Sequence, residues 1–159
     1  MISEKLVKAF NDQIVAELWS SNLYLQMAFY LKKEGWNGSA NWMLKQADEE
    51  KEHALKLADY AIKRGGEVKV GMIDVVPVGW GSLQDVFENV YEHECHVSKL
   101  INDLVDVAVA ENDKATVEFL NWFIHEQVEE EDSALSIVER LKKAGETGAF
   151  FVDAELAKR

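Results

Sequence analysis

Four glutamates, Glu17, Glu50, Glu94 and Glu130, each interrupt a run of apolar residues spaced three or four apart, where a helical core normally carries Leu or Val. The first run is Phe10, Ile14, Glu17, Ser21, Tyr24, Ala28 and Leu31, and the second is Ala40, Met43, Ala47, Glu50, Ala54, Leu57 and Ala61. The third is Leu83, Phe87, Val90, Glu94, Val97, Ile101, Leu104 and Ala108; the fourth is Leu120, Phe123, Gln127, Glu130, Ala134, Ile137 and Leu141. Desolvating an unpaired carboxylate costs several kcal/mol, whereas a whole domain is stable by only about 5–15 kcal/mol. Four such groups inside one core therefore require cations to share the space.

His53 follows Glu50 by three residues, so both side chains project from one helix toward the same ion. An oxygen-rich set with a single imidazole suits iron or manganese better than thiolate-seeking metals. Two ions need a bridging carboxylate, and Glu50 is the natural bridge. That leaves Glu17 with His53 for one metal and Glu94 with Glu130 for the other, Gln127 lying beside them on the fourth stripe. Tyr24, two turns after Glu17, stands near enough to donate an electron, and Trp122 beside Phe123 is a weaker candidate.

The elements that position these groups are all helical. The first helix is predicted from Ser3, as N-cap, to Lys33, and the second from Ser39 to the Gly65-Gly66 pair. The third begins at Ser82, with Asp85 three positions on, and runs to Glu111. The fourth runs from Lys114 to Ala144, and a further small helix is expected within Thr147 to Leu156. Gly66 to Gly81 contains the single proline, Pro77, and a β-branched run, so it reads as extended chain. Extended, it reaches roughly 50 Å, against roughly 39 Å for the second helix, so it can cross the whole bundle. All four glutamates then fall within about three residues of their helix centres, roughly 4.5 Å of axial slack, and meet at one level.

The length of 159 residues fits one domain, predicted as a bundle over 1–145 with an assembly tail over 146–159. The 17 Lys and Arg against 29 Asp and Glu give a net charge of −12, which repels nucleic acid and anionic lipid and attracts cations. The single cysteine, Cys95, allows no internal disulfide and no cysteine-pair metal site, which suits a cytoplasmic protein; it is expected to be a small packing residue. No apolar run approaches the roughly 20 residues of a membrane span, and neither membrane insertion nor export is expected. His93, His96 and His125 read as surface or subunit-contact residues. Val70, Met72, Ile73, Val75 and Val76 and the segment Ala149-Phe150-Phe151-Val152 read as subunit contacts too.

On Glu17, the run Glu49-Glu50 with His53, Glu94, and the segment Glu126-Gln127-Val128-Glu129-Glu130, the chain resembles a bacterial non-haem ferritin over essentially its full length. The fold this implies is the ferritin-like four-helix bundle with one long crossover between helices two and three. The resemblance implies oxidation of Fe(II) by O2 or H2O2 at an intrasubunit di-iron ferroxidase centre and storage of ferric mineral inside a homo-oligomeric shell of twenty-four subunits. It further implies a third iron site, onto which Glu49, Glu126 and Glu129 match. Lys51 follows Glu50 where the haem-binding relatives carry a Met, so no haem is expected. Gln127 and Glu130 replace the second Glu-x-x-His of symmetric di-iron enzymes. A small di-iron or di-manganese oxidase or peroxidase acting on another substrate stands as the alternative.

Overall fold

The computed structural model describes residues 1–159. It contains α1 (Glu4–Lys33), α2 (Asn37–Lys63), α3 (Leu83–Ala110) and α4 (Lys114–Leu156), and no strand. α1 packs against α2 and α3 against α4 as two hairpins, joined side by side through α1 with α3 and α2 with α4. This is the predicted all-α bundle with one long crossover.

Helix starts follow from local chemistry at two of the predicted caps. The Ser3 hydroxyl accepts the Leu6 amide at 3.2 Å. Ser82 and Asp85 form a reciprocal capping box, Asp85 N donating to Ser82 Oγ and Ser82 N to Asp85 Oδ2. Ser39 is not an N-cap: α2 begins two residues earlier, and no side chain of its own caps it. The cap comes instead from the far end of the chain. Asp153 Oδ1 accepts both the Ser39 amide and the Ser39 hydroxyl at 2.7 Å, satisfying donors that a helix start leaves free. The approach is so close that a Cβ on Gly38 would lie 2.0 Å from the Asp153 carbonyl oxygen.

α4 is broken where the sequence predicts its end. Gly145 adopts φ 68°, a left-handed conformation that L-residues resist, and residues 146–156 turn onto the end of the bundle. The tail expected to meet neighbouring subunits divides between two surroundings. Ala149, Val152 and Leu156 are buried in the chain's own core, whereas Phe150 and Phe151 are 69% and 77% exposed.

The crossover is held along α1 by three side chains. Asn11 accepts the Lys69 amide and donates to the Glu67 carbonyl, Trp19 Nε1 donates to Val75 O, and Tyr30 OH donates to Gly81 O. Residues 11 to 30 of a helix span roughly 28 Å, so the connection climbs most of the bundle's length. Val70, Met72 and Val75 are exposed, as expected of a contact segment, but Val76 packs on the bundle itself.

The core is split in two. One apolar cluster holds Tyr24, Met27, Leu31, Met43, Phe87, Val90, Ile137 and Leu141; the other holds Phe10, Ile14, Leu57, Ile101, Leu104, Leu120 and Phe123. Between them lies a layer of buried polar side chains: Gln13, Glu17, Ser20, Gln46, Glu50, His53, Glu94, Gln127 and Glu130.

Candidate metal centre

Each helix delivers its glutamate to that layer, and Glu17, Glu50 and Glu94 are each only 1% exposed. Potential ligand atoms of Glu17, Glu50 and His53 lie within 4.8 Å of one another, as do those of Glu50, Glu94 and Glu130. Glu50 belongs to both groups, which is the geometry required of a bridge. A third group, His53, Glu126 and Glu130, meets the same limit.

The layer's hydrogen bonds are unevenly distributed. Gln13 Nε2 donates to Glu17 Oε1 at 3.0 Å and Gln46 Nε2 to Glu50 Oε1 at 3.1 Å, each from one turn earlier on the same helix. The second oxygens, Glu17 Oε2 and Glu50 Oε2, have no partner. They face His53 Nδ1 at 3.9 and 3.4 Å. An unsatisfied buried acceptor costs about 1–3 kcal/mol, and a cation between these oxygens and the imidazole removes that cost. The donor set, two carboxylates and a nitrogen, suits iron.

Glu94 is differently placed. Its Oε1 accepts from the buried Tyr24 hydroxyl, and its Oε2 from Gln127 Nε2 at 3.1 Å. Gln127 also donates to the Glu94 carbonyl and to Ser98 Oγ, so its amide braces α3 against α4. Glu130 Oε2 accepts from Gln46 at 2.8 Å, which ties Glu130 to Glu50 through one amide.

These differences set the protonation of the layer. Burial, followed by the charge of Glu50, raises the Glu17 pKa well above the usual carboxylate range; burial and Glu94 do the same to Glu50. Burial pushes Glu94 up to about 6, against the lowering effect of its Tyr24 and Gln127 donors. Glu130, buried and beside Glu94, with Gln46 and His53 only partly offsetting this, is pushed up to about 8. Burial, then the neighbouring Glu94, also raises Tyr24, which therefore remains a phenol and a donor. Cations entering the layer displace these protons.

Glu49, Glu126 and Glu129 lie outside the buried layer. With Glu130, Gln46, Trp42, Ser133 and Arg159 they line an acidic cavity of about 270 Å³. Glu126 Oε1 is 3.9 Å from His53 Nε2, whereas Glu129 is exposed.

Two readings of the aromatic and histidine residues change. His93 is half-buried rather than fully exposed. Its Nε2 lies 2.8 Å from Ser20 Oγ, its ring meets Tyr24 edge-on at 5.9 Å, and burial, followed by the charge of His96, lowers its pKa to about 4. Trp122 touches the His53 ring at 5.5 Å, but the Lys56 ammonium stands 3.3 Å above its own ring centre, a charge that opposes electron loss from it. Cys95 does more than pack: its Sγ donates to Glu131 Oε1. The sequence reading passed over Gln13 and Gln46, although a signal was present. Both stand four residues before a stripe glutamate, one turn away and on the same face.

Comparisons with known proteins agree with this geometry. Residues 7–144 match the ferritin-like domain family. The chain belongs to the ferritin family. It is 60% identical to a bacterial non-heme ferritin of Bacteroides fragilis over the whole of both chains, and 32% identical to one of Escherichia coli O157:H7, covering 99% and 96% of the two. Among solved structures it superposes on the open-pore ferritin of the archaeon Archaeoglobus fulgidus with a TM-score of 0.98 at 48% identity, over 100% of this chain and 99% of that one. The chain is thus an iron-storage ferritin, from a family that binds iron and in general oxidises it. None of its helices is long and apolar enough to cross a membrane.

Proposed function

We propose that this ferritin oxidises ferrous iron at an intrasubunit pair of sites before storing it. Glu17 and His53 hold one ion, Glu94, Gln127 and Glu130 the other, and Glu50 lies between them. The observation that carries this reading is the pair of buried, partnerless oxygens, Glu17 Oε2 and Glu50 Oε2, set against His53 Nδ1.

Iron is the substrate. Two ferrous ions lose one electron each, and O2 takes both with two protons to leave as H2O2. Alternatively, H2O2 takes both electrons with two protons and leaves as two waters. The chain's residues strip water from the ions, fix their separation and release the protons held on Glu17, Glu50, Glu94 and Glu130. Tyr24, hydrogen-bonded to Glu94, is placed to supply a further electron, giving up its phenolic proton with it, only where the oxidant is reduced beyond the two electrons that the ion pair supplies. Glu49, Glu126 and Glu129 form a third iron site in the acidic cavity beside the pair, a reading supported by their shared walls with Glu130.

Assembly completes the proposal. Residues 1–145 handle iron, while 146–159 and the crossover join subunits into a cytoplasmic shell of twenty-four, without haem and without nucleic acid. The exposed Phe150, Phe151, Val70, Met72 and Val75 support this, being more apolar than an isolated surface requires. A small oxidase acting on an organic substrate would need a cavity reaching the pair. The cavity of about 560 Å³ instead lies between α1, α3 and the crossover, and none of the four stripe glutamates lines it.

Glu50→Ala tests the bridge. The initial rate of ferrous oxidation, followed by ferric absorbance, should fall at least roughly hundredfold, beyond the 10–100-fold typical of residues that merely support ligands. Sedimentation velocity should show an unchanged assembly. An unaltered initial rate would remove Glu50 from the bridging position.

A further inference from the structure

The acidic cavity beside the carboxylate layer already holds a cation belonging to the chain. Arg159 Nη2 contacts Glu49 Oε2 at 3.0 Å, and its Nη1 donates to the Trp42 carbonyl at 3.1 Å. The guanidinium carbon lies 4.4 Å from the centre of the Trp42 ring. A charge pair, a carbonyl and an aromatic face together fix the group, and only the planar fork of arginine meets all three. The side chain is 25% exposed.

The segment that carries Arg159 is anchored independently. Leu156 is buried in the core, and Asp153 is bonded to the start of α2. Such tethering presents the guanidinium to Glu49 at a high effective concentration. The cavity's walls include Glu49, Glu126, Glu129 and Glu130 but no positive group other than Arg159. An incoming dication therefore meets one carboxylate already engaged and one positive charge already in place.

We propose that Arg159 is a tethered competitor for the third site. It occupies Glu49 in the iron-free chain and yields it only to a dication, so the third site fills after the buried pair and more weakly. A monovalent ion, with the same charge as the guanidinium but no tether, cannot displace it. Arg159 thus acts through Glu49 as a positioning and selectivity residue. The proposal rests on the reading of Glu49, Glu126 and Glu129 as that site.

The test is calorimetric titration of the assembled, metal-free protein with Zn2+, a redox-inert dication. Arg159→Gln should tighten the weakest class of Zn2+ sites roughly three- to tenfold, given the strength of partly exposed, charge-assisted pairs, and leave the tighter sites unchanged. The gain should shrink at high salt, which screens the competing charge. Arg159→Lys, which keeps the charge and loses the fork, should fall between the two. In a Glu49→Gln background Arg159→Gln should have no further effect. Equal Zn2+ affinity in wild type and Arg159→Gln, with Glu49→Gln still weakening the weak sites, would overturn the competitor while leaving the third site standing. Indifference of the weak sites to Glu49→Gln, Glu126→Gln and Glu129→Gln would overturn the third site, and the competitor with it. Should Arg159→Gln loosen the tail or the assembly, the Lys and Glu49 variants decide the matter alone.

Discussion

At one end of the carboxylate layer Glu17 and Glu50 each turn an oxygen toward His53 with nothing donating to it, whereas at the other end Glu94 accepts from both Tyr24 and Gln127. The ends share depth, charge and origin in a helical stripe. They differ in what waits there in the absence of metal. The first end is short of side-chain donors, so its oxygens depend on the protons that burial holds on Glu17 and Glu50, or on a cation. The second is filled by side-chain donors as well, so a cation there must displace fixed donors and not protons alone. Gln46 links the two by donating to Glu50 and Glu130 together. The contrast teaches that equal burial does not mean equal readiness, since the count of donors aimed at each oxygen decides it.

The sharpest way to break the contrast is to cut one group from each end. His53→Ala should lower the initial ferrous oxidation rate at least roughly hundredfold, while Gln127→Ala, which removes the weak amide donor of the other ion and the brace of Glu94, should cost only about tenfold. Equal losses, measured by stopped-flow absorbance, would show that the ends do not differ in function.

Stability against pH reads the protons held across both ends. A carboxyl raised in the folded state keeps its proton while the unfolded chain loses its own, so the unfolded state binds fewer protons and stability falls as pH rises. With Glu130 at about 8, the loss begins near the ordinary carboxylate range and is complete at about pH 8. The thermal midpoint of the metal-free protein should drop by roughly 5–10 °C between about pH 5 and pH 8. Glu130→Gln should make that slope shallower, with Glu17, Glu50 and Glu94 supplying the rest, and Fe2+ or Zn2+ should reverse it. A slope left unchanged in Glu130→Gln would assign the held protons to the other three carboxyls alone.

Tyr24→Phe is the smallest of the three changes. It keeps the ring and withdraws one donor from Glu94, making the second end resemble the first. The metal-free midpoint should fall by roughly 2–6 °C, the cost of one unsatisfied buried acceptor. Fast oxidation should slow no more than about tenfold. If calorimetry finds no shift at all, the Tyr24 hydroxyl does not support Glu94.

Much of the centre was legible because helical periodicity is local. Glu17, Glu50, Glu94 and Glu130 could be placed on inward faces from spacing alone, and His53 followed from its three-residue offset to Glu50. Gln13 and Gln46 were legible on the same grounds, each one turn before a stripe glutamate, but a neutral amide in a core carries no desolvation cost that demands an ion. His93 was not legible. It lies off the third stripe, and local spacing says nothing of Ser20, 73 residues away. Ser39 was misread as a cap for a similar reason, since the carboxylate that serves the start of α2 comes from Asp153, 114 residues further on.

The sequence by itself determined four helices, a crossing segment long enough to span them, and four buried carboxylates at one height, because each follows from residues a few positions apart. Only the tertiary structure decided which carboxylate oxygens lack a donor, which glutamine joins Glu50 to Glu130, and which cation stands in the acidic cavity. These are contacts between distant residues, fixed by how helices cross and which rotamers fit between them, and sequence spacing carries no record of either.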